Sequence, residues 1–133
     1  MASLPPAYFD ALYGQDPDPW GFATSAYEAA KYAATMAALP RTRYAAALEI
    51  GCSIGVLTSA LAQRCDTVMA IDVAETALHQ ARQRNAGHAH VRFARQRFPT
   101  MVPEGSFDLI VSVSCFDANF FTFVYTIEIL RPS

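Results

Sequence analysis

From residue 45 onward, apolar runs of strand length alternate with segments whose apolar residues recur every three or four positions. Ala45 to Ile50 reads as a strand, and Val56 to Arg64 as a helix. Thr67 to Ile71 is a second strand, and Ala74 to Asn85 a helix that turns Ala77, Leu78 and Ala81 inward, with Asn85 and Gly87 ending it. His88 to Phe93 reads as a third strand. Arg95 to Gly105 is a loop broken by Pro99 and Pro103. Phe107 to Val113, apolar almost throughout, fits a strand buried on both faces. Such repeats, joined by right-handed crossovers, predict an α/β fold with a doubly wound parallel sheet.

Upstream the period is helical. Tyr8-Phe9-x-x-Leu12-Tyr13 suggests a short helix ended by Gly14, and the prolines of Asp16-Pro17-Asp18-Pro19-Trp20-Gly21 forbid its continuation. Ser25-Ala26-Tyr27-Glu28 is a capping box opening a helix that runs to about Leu39, where Pro40 stops it. Downstream, Asn119 to Leu130 is read as a helix, although Phe121, Phe123, Val124, Tyr125 and Ile127 could equally form a sheet edge.

Composition narrows the class. A chain of 133 residues with 53% apolar residues and a net charge of −2 fits one folded domain, with no basic patch or acidic tail pointing to nucleic acid or a membrane. Three cysteines, Cys52, Cys65 and Cys115, are odd in number and lack C-x-x-C spacing, so reduced thiols in a cytoplasm fit better than disulfides or zinc. No secretory leader is evident, and Phe120 to Leu130 is too short to span a bilayer. His88 and His90 have an i, i+2 spacing a metal could use, but no third ligand is evident.

The candidate chemistry lies in Leu48-Glu49-Ile50-Gly51-Cys52-Ser53-Ile54-Gly55, where a strand meets a tight turn and a helix start. Gly51 permits a sharp turn, Gly55 lets the helix start lie close to the sheet, and the N–H groups there face a crevice. The G-x-G-x-x-G dinucleotide pattern is not met. G-x-S-x-G is met, which makes an α/β-hydrolase elbow with Ser53 as nucleophile a rival reading, but no histidine occupies the late loop such an enzyme needs. The third reading is a methyl-donor site, with Glu49 as one acid and Asp72, ending the next strand, as a second able to accept two ribose hydroxyls. Asp72 could instead only cap the helix that follows it.

The motifs Leu48 to Gly55, Ile71-Asp72 and Phe107-Asp108-Leu109-Ile110-Val111 resemble those of class I S-adenosylmethionine-dependent methyltransferases, over nearly the whole chain. Asp18-Pro19-Trp20 with Ser25-x-Tyr27-Glu28-x-x-Lys31-Tyr32 looks more narrowly like nodulation protein S, whose members N-methylate chitooligosaccharide precursors of rhizobial Nod factors. The resemblance implies a three-layer Rossmann-like fold with strand order 3-2-1-4. Residues 1–40 would be a helical cover and 41–133 a partial S-adenosylmethionine-binding domain, the two acting as a single unit. It implies that Gly51, Ser53 and Gly55 line the methionine and ribose side, that Glu49 lies beneath the cofactor, and that Asp72 holds the ribose. Trp20, Tyr27 and Lys31 would close over cofactor and acceptor. Methyl transfer to an amine is an in-line displacement that needs alignment and dryness more than a strong catalyst. The residues nominate no general base; Glu28 is the nearest candidate.

Three departures qualify the resemblance. Ser53 replaces a usual glycine, which a negative φ would accommodate. Arg95-Gln96 stands where the family often has an acid near the adenine amino group, so recognition there falls to backbone or to Gln96. Glu128-Ile129-Leu130-Arg131-Pro132 resembles the turn that leads into the family's fifth strand, so the expectation is a chain without its last strands. That would leave Phe107 to Val113 as a bare edge prone to self-association, in a weakly binding enzyme or a non-catalytic remnant.

Overall fold

The computed structural model describes residues 6–7, 26–97, 105–116 and 119–125. Helix α1 (Ala26–Ala38) leads into strand β1 (Tyr44–Ile50), helix α2 (Val56–Ala62), strand β2 (Cys65–Asp72), helix α3 (Glu75–Arg84) and strands β3 (Val91–Arg95), β4 (Leu109–Phe116) and β5 (Asn119–Tyr125). The sheet order is β3-β2-β1-β4-β5. The first four strands are parallel, with Glu49 level with Ala70 on β2 and Val111 on β4, while Asp72 is level with Arg95 on β3. The strand order reverses between β1 and β4, the switch point where open α/β sheets open a crevice at their carboxyl ends.

Because β1, β2 and β3 step in one direction, right-handed crossovers put α2 and α3 on the same face. Leu57 and Leu61 of α2 pack there with Ala47, Val68, Leu109 and Val111, and Tyr32 and Met36 of α1 rest on the same cluster. Leu78 of α3 meets Ala70, Cys52 and Phe93. On the opposite face Leu48, Ile71 and Phe107 are buried, with Ala46, Ile50, Met69, Ala94 and Ile110 half-buried around them.

Side chains brace this frame at its lower end. The Asp108 carboxylate accepts from Ala45 N–H at 3.0 Å, Ala46 N–H at 2.8 Å and Arg41 at 3.0 Å, tying the start of β4 to the start of β1. Burial works to raise its pKa, but the two N–H donors and Arg41 outweigh it and hold the carboxyl below its ordinary value. The Arg64 guanidinium donates to the carbonyls of Met36, Arg41 and Thr42, anchoring the carboxyl end of α1 against the end of α2.

Three sequence expectations are corrected. The third strand is Val91–Arg95, beginning three residues later and ending two residues later than the run His88 to Phe93 suggested. His88 N–H donates to Asn85 O, Val91 N–H to His88 O, and the His90 ring meets Ala62 O at 2.7 Å, so the histidines are held in a turn. Asn119–Tyr125 is a strand, not a helix; its aromatic and β-branched residues suit a pleated edge, and residues 126–130 lie outside the described residues. It pairs antiparallel with β4 from Phe116 opposite Asn119 to Ile110 opposite Tyr125, so the outer edge of β4 is covered rather than bare.

Candidate functional site

The turn after β1 folds through an unusual run of backbone conformations. Gly51, Ser53 and Gly55 all have positive φ, at 81°, 53° and 83°. The condition under which a serine would fit here without strain, a negative φ, is therefore not met. A serine in the left-handed region is disfavoured by its Cβ, a cost of about 1 kcal/mol, and is retained where surrounding bonds fix it. The fixing bonds come from β2. Ile71 O accepts from both Gly51 N–H at 2.9 Å and Cys52 N–H at 3.1 Å, and Asp72 Oδ2 accepts from Ser53 N–H at 2.8 Å.

Asp72 thus has a structural duty alongside any ligand role. Its Oδ1 accepts from Ala74 N–H at 3.0 Å, so the helix-capping reading holds as well. A carboxylate offers about four lone-pair sites, and these two bonds do not by themselves exhaust its accepting capacity. The side chain is half-buried at the tip of β2, directly beside the turn.

Glu49 lies one layer deeper. It is 1% exposed and accepts a 2.5 Å hydrogen bond from Thr58 Oγ1 on α2, so it faces the underside of the helix start. Burial pushes its pKa up to about 8; the Thr58 bond lowers it and the nearby negative charge of Asp72 adds to the rise. At neutral pH Glu49 is therefore mostly a neutral acid, a hydrogen-bonding floor for the turn rather than a charge offered to a ligand. The two carboxyls do share one face at adjacent strand tips, close enough to feel each other's field.

Gln96 follows β3 and donates its N–H to Asp72 O at 3.1 Å. Its Oε1 is buried and has no hydrogen-bond partner among the described residues. An orphaned buried carbonyl costs about 1–3 kcal/mol, which a donor from a bound molecule would recover. Lys31 is half-buried on α1, and its carbonyl accepts from Thr35 Oγ1 at 2.9 Å. Trp20 and the side chains of Tyr27 and Glu28 lie outside the described residues.

Cys52 and Cys65 are buried free thiols. Burial drives both pKa values up, Cys65 to about 11, so neither is a reactive thiolate at neutral pH. The Cys115 side chain lies outside the described residues. The hydrolase reading of Ser53 finds no support: His79 is exposed on α3 beside Gln83, while His88 and His90 stand before the amino end of β3, at the far end of the sheet.

Sequence reasoning missed Asn85. The sequence marks it only as the residue that ends α3, yet it is 3% exposed and reaches across to the turn. Its Nδ2 donates to Gly55 O and Ala81 O, both at 3.1 Å, and its Oδ1 accepts from Ser59 Oγ at 2.9 Å. Gly55 consequently abuts α3, where a Cβ would lie 2.7 Å from Asn85 Nδ2 and 3.0 Å from Ala81 Cβ. The neighbour that demands glycine there is a helix, and the expected close approach to the sheet is not the reason. An asparagine after a helix that ends in Arg82-Gln83-Arg84 reads as an ordinary stop signal, so only the long-range contact distinguishes it.

Comparison with known proteins follows the same lines. The family model for nodulation protein S matches residues 13–120. Nodulation protein S of Bradyrhizobium diazoefficiens is 38% identical over 98 residues, which cover 71% of this chain and 46% of the relative. Its counterpart in Rhizobium tropici is 33% identical over 95 residues, covering 71% of this chain and 40% of that protein. The chain thus spans less than half the length of these curated relatives. Among solved structures, the N-methyltransferase NodS of Bradyrhizobium japonicum WM9, in complex with S-adenosyl-L-homocysteine, superposes with a TM-score of 0.69 at 28% identity, over 77% of this chain and 54% of that one. A candidate methyltransferase from Pseudomonas syringae is 48% identical with a TM-score of 0.59, over 63% of this chain and 54% of its own.

Proposed function

The chain belongs to the nodulation protein S family, and from that membership we propose that it is an S-adenosylmethionine-dependent methyltransferase with an amine acceptor. The observation that carries the reading is the knot of Ser53 N–H on Asp72, with Glu49 beneath it, at adjacent strand tips beside the switch point. S-adenosylmethionine would supply a methyl group on a sulfonium, already activated for displacement by a nitrogen lone pair. The chain's own task is then to bind, orient and exclude water.

Asp72 would accept from the ribose hydroxyls while it holds the turn. Gly51, Ser53 and Gly55 would line the methionine and ribose side, with backbone rather than side chains against the ligand. Gln96 Oε1 suits the adenine amino group, because an acceptor without a donor among the described residues fits an N–H₂ and not a second carbonyl. Lys31, with Trp20 and Tyr27 of the amino-terminal cover, would lie toward the acceptor. The acceptor we propose is the amine of an amino sugar, within a chitooligosaccharide precursor of a Nod factor or a related small molecule. A cytoplasmic location, where the methyl donor is made, fits this reading; no helix among the described residues is long and apolar enough to cross a membrane.

Calorimetric titration with S-adenosylhomocysteine tests the donor site. Micromolar binding that Asp72→Ala weakens at least tenfold supports it, and unchanged binding in that variant refutes the assignment of Asp72. Transfer of labelled methyl groups to de-N-acetylated chitooligosaccharides, compared with simple amines, tests the acceptor. Light scattering across protein concentrations tests self-association along the outer edge of β5.

A further inference from the structure

Gly55 carries the left-handed conformation that opens α2, and its carbonyl is held from three directions. Ser59 N–H donates to it at 3.3 Å, Ser59 Oγ stands at 3.2 Å, and Asn85 Nδ2 donates from α3 at 3.1 Å. The first two contacts are local to the helix. The third comes from thirty residues away, and it fills the space that any side chain at position 55 would need.

Asn85 is itself bonded at every polar group. Its N–H donates to Ala81 O at 3.0 Å, its carbonyl accepts from His88 N–H at 2.9 Å, and its Oδ1 accepts from Ser59 Oγ. That Oδ1 bond fixes the orientation of the amide, so Nδ2 can only point at the carbonyls of Gly55 and Ala81. A residue that only ended a helix would need its backbone groups, not a buried amide spread over three partners on two helices.

We infer that Asn85 is a positioning residue for the cofactor turn: it clamps Gly55 from α3 and so sets the conformation of residues 51–55 without touching the ligand. Asp72 holds the turn at Ser53 from the β2 side, and Asn85 holds it at Gly55 from the α3 side. With the turn pinned at Ser53 itself and again two residues on at Gly55, the strained Ser53 has no freedom to relax.

The inference rests on the methyl-donor reading only where ligand affinity is concerned, and the test separates the two. Asn85→Asp keeps the volume but withdraws both donors, Asn85→Ala removes the whole contact, and Val68→Ala serves as a core control with a comparable fall in melting temperature. Hydrogen exchange at the Ser53, Gly55 and Ser59 amides is measured without ligand, and S-adenosylhomocysteine affinity by calorimetry. Exchange at those three amides should rise at least tenfold more in both Asn85 variants than in Val68→Ala, with ligand affinity falling at least tenfold in the Asn85 variants alone. Exchange no faster than in the control overturns the inference. Equal affinity in Asn85→Ala and wild type also overturns it. If the wild-type chain binds no S-adenosylhomocysteine, the donor reading fails while the exchange measurement still decides the role of Asn85. Should both Asn85 variants fail to fold, Ser59→Ala, which removes the hydroxyl that orients the amide, is expected to raise the same exchange rates about threefold, and no rise overturns the inference.

Discussion

Replacing Glu49 with glutamine should change how stability depends on pH, and the burial of that carboxyl sets the size of the effect. Glu49 is 1% exposed, and its pKa climbs from 4.5 to about 8 on folding. Between those two values the folded chain holds a proton that the unfolded chain has released. The native state binds more protons there, so stability falls as pH rises from about 4.5 toward 8. At about 1.4 kcal/mol per pKa unit, the loss by pH 7 is on the order of 3 kcal/mol, a large share of the 5–15 kcal/mol typical of a domain. Glutamine has nearly the same shape, stays neutral, and its Oε1 can still accept from Thr58 Oγ1. Glu49→Gln should therefore match wild type near pH 5 and exceed it by about 3 kcal/mol at pH 7. Urea unfolding of both proteins at half-unit steps from pH 5 to 8 gives the difference directly. Subtraction removes the contributions of Asp108 and other shared groups. Two parallel curves would refute the reasoning, because they would mean that Glu49 is ionised in the folded chain and that its burial is matched by a charge partner.

Other substitutions probe the remaining bonds. Ser53→Gly should be neutral or stabilise by about 0.5 kcal/mol, as relief of left-handed strain offsets the added freedom of the unfolded chain, whereas Ser53→Val should cost about 2 kcal/mol; thermal melts read both. Gly55→Ala should lower stability by about 2 kcal/mol or more, since the new Cβ meets Asn85 and Ala81 at a positive φ. Asp108→Ala should cost about 1–2 kcal/mol, chiefly by leaving the part-buried Ala46 N–H without its acceptor. In wild type that contribution should be complete above the ordinary Asp value of 3.8 and fade as pH falls through the depressed folded value, which acid unfolding checks. Gln96→Ala should weaken S-adenosylhomocysteine severalfold yet leave the deaminated inosine analogue unchanged, because that analogue offers no amino hydrogen; equal losses for both ligands would exclude Gln96 as the adenine contact.

The parallel core was legible because its signals are local. Apolar runs of strand length separated by helical spacing placed β1, α2, β2 and α3 to within about three residues, and the glycines at 51 and 55 marked the turn. The position of Asp72 at the tip of the second strand, beside the turn, was legible in the same way. What the sequence could not convey was each acid's partner: Asp72 on a backbone N–H and Glu49 on a buried hydroxyl are contacts made by tertiary packing. The same holds for Asn85, whose amide looks like a helix terminator until α2 is laid beside it. Asn119–Tyr125 was ambiguous for a different reason, since aromatic and β-branched residues satisfy a buried helix or a strand, and pairing with β4 decides between them.

The pinned turn has a kinetic consequence. A loop already fixed through Asp72 needs no ordering step when a ligand arrives, so little conformational entropy is lost on that side of the cleft. Variants that loosen the turn should shorten ligand residence time and slow capture as well, because a smaller fraction of molecules would be competent at any instant.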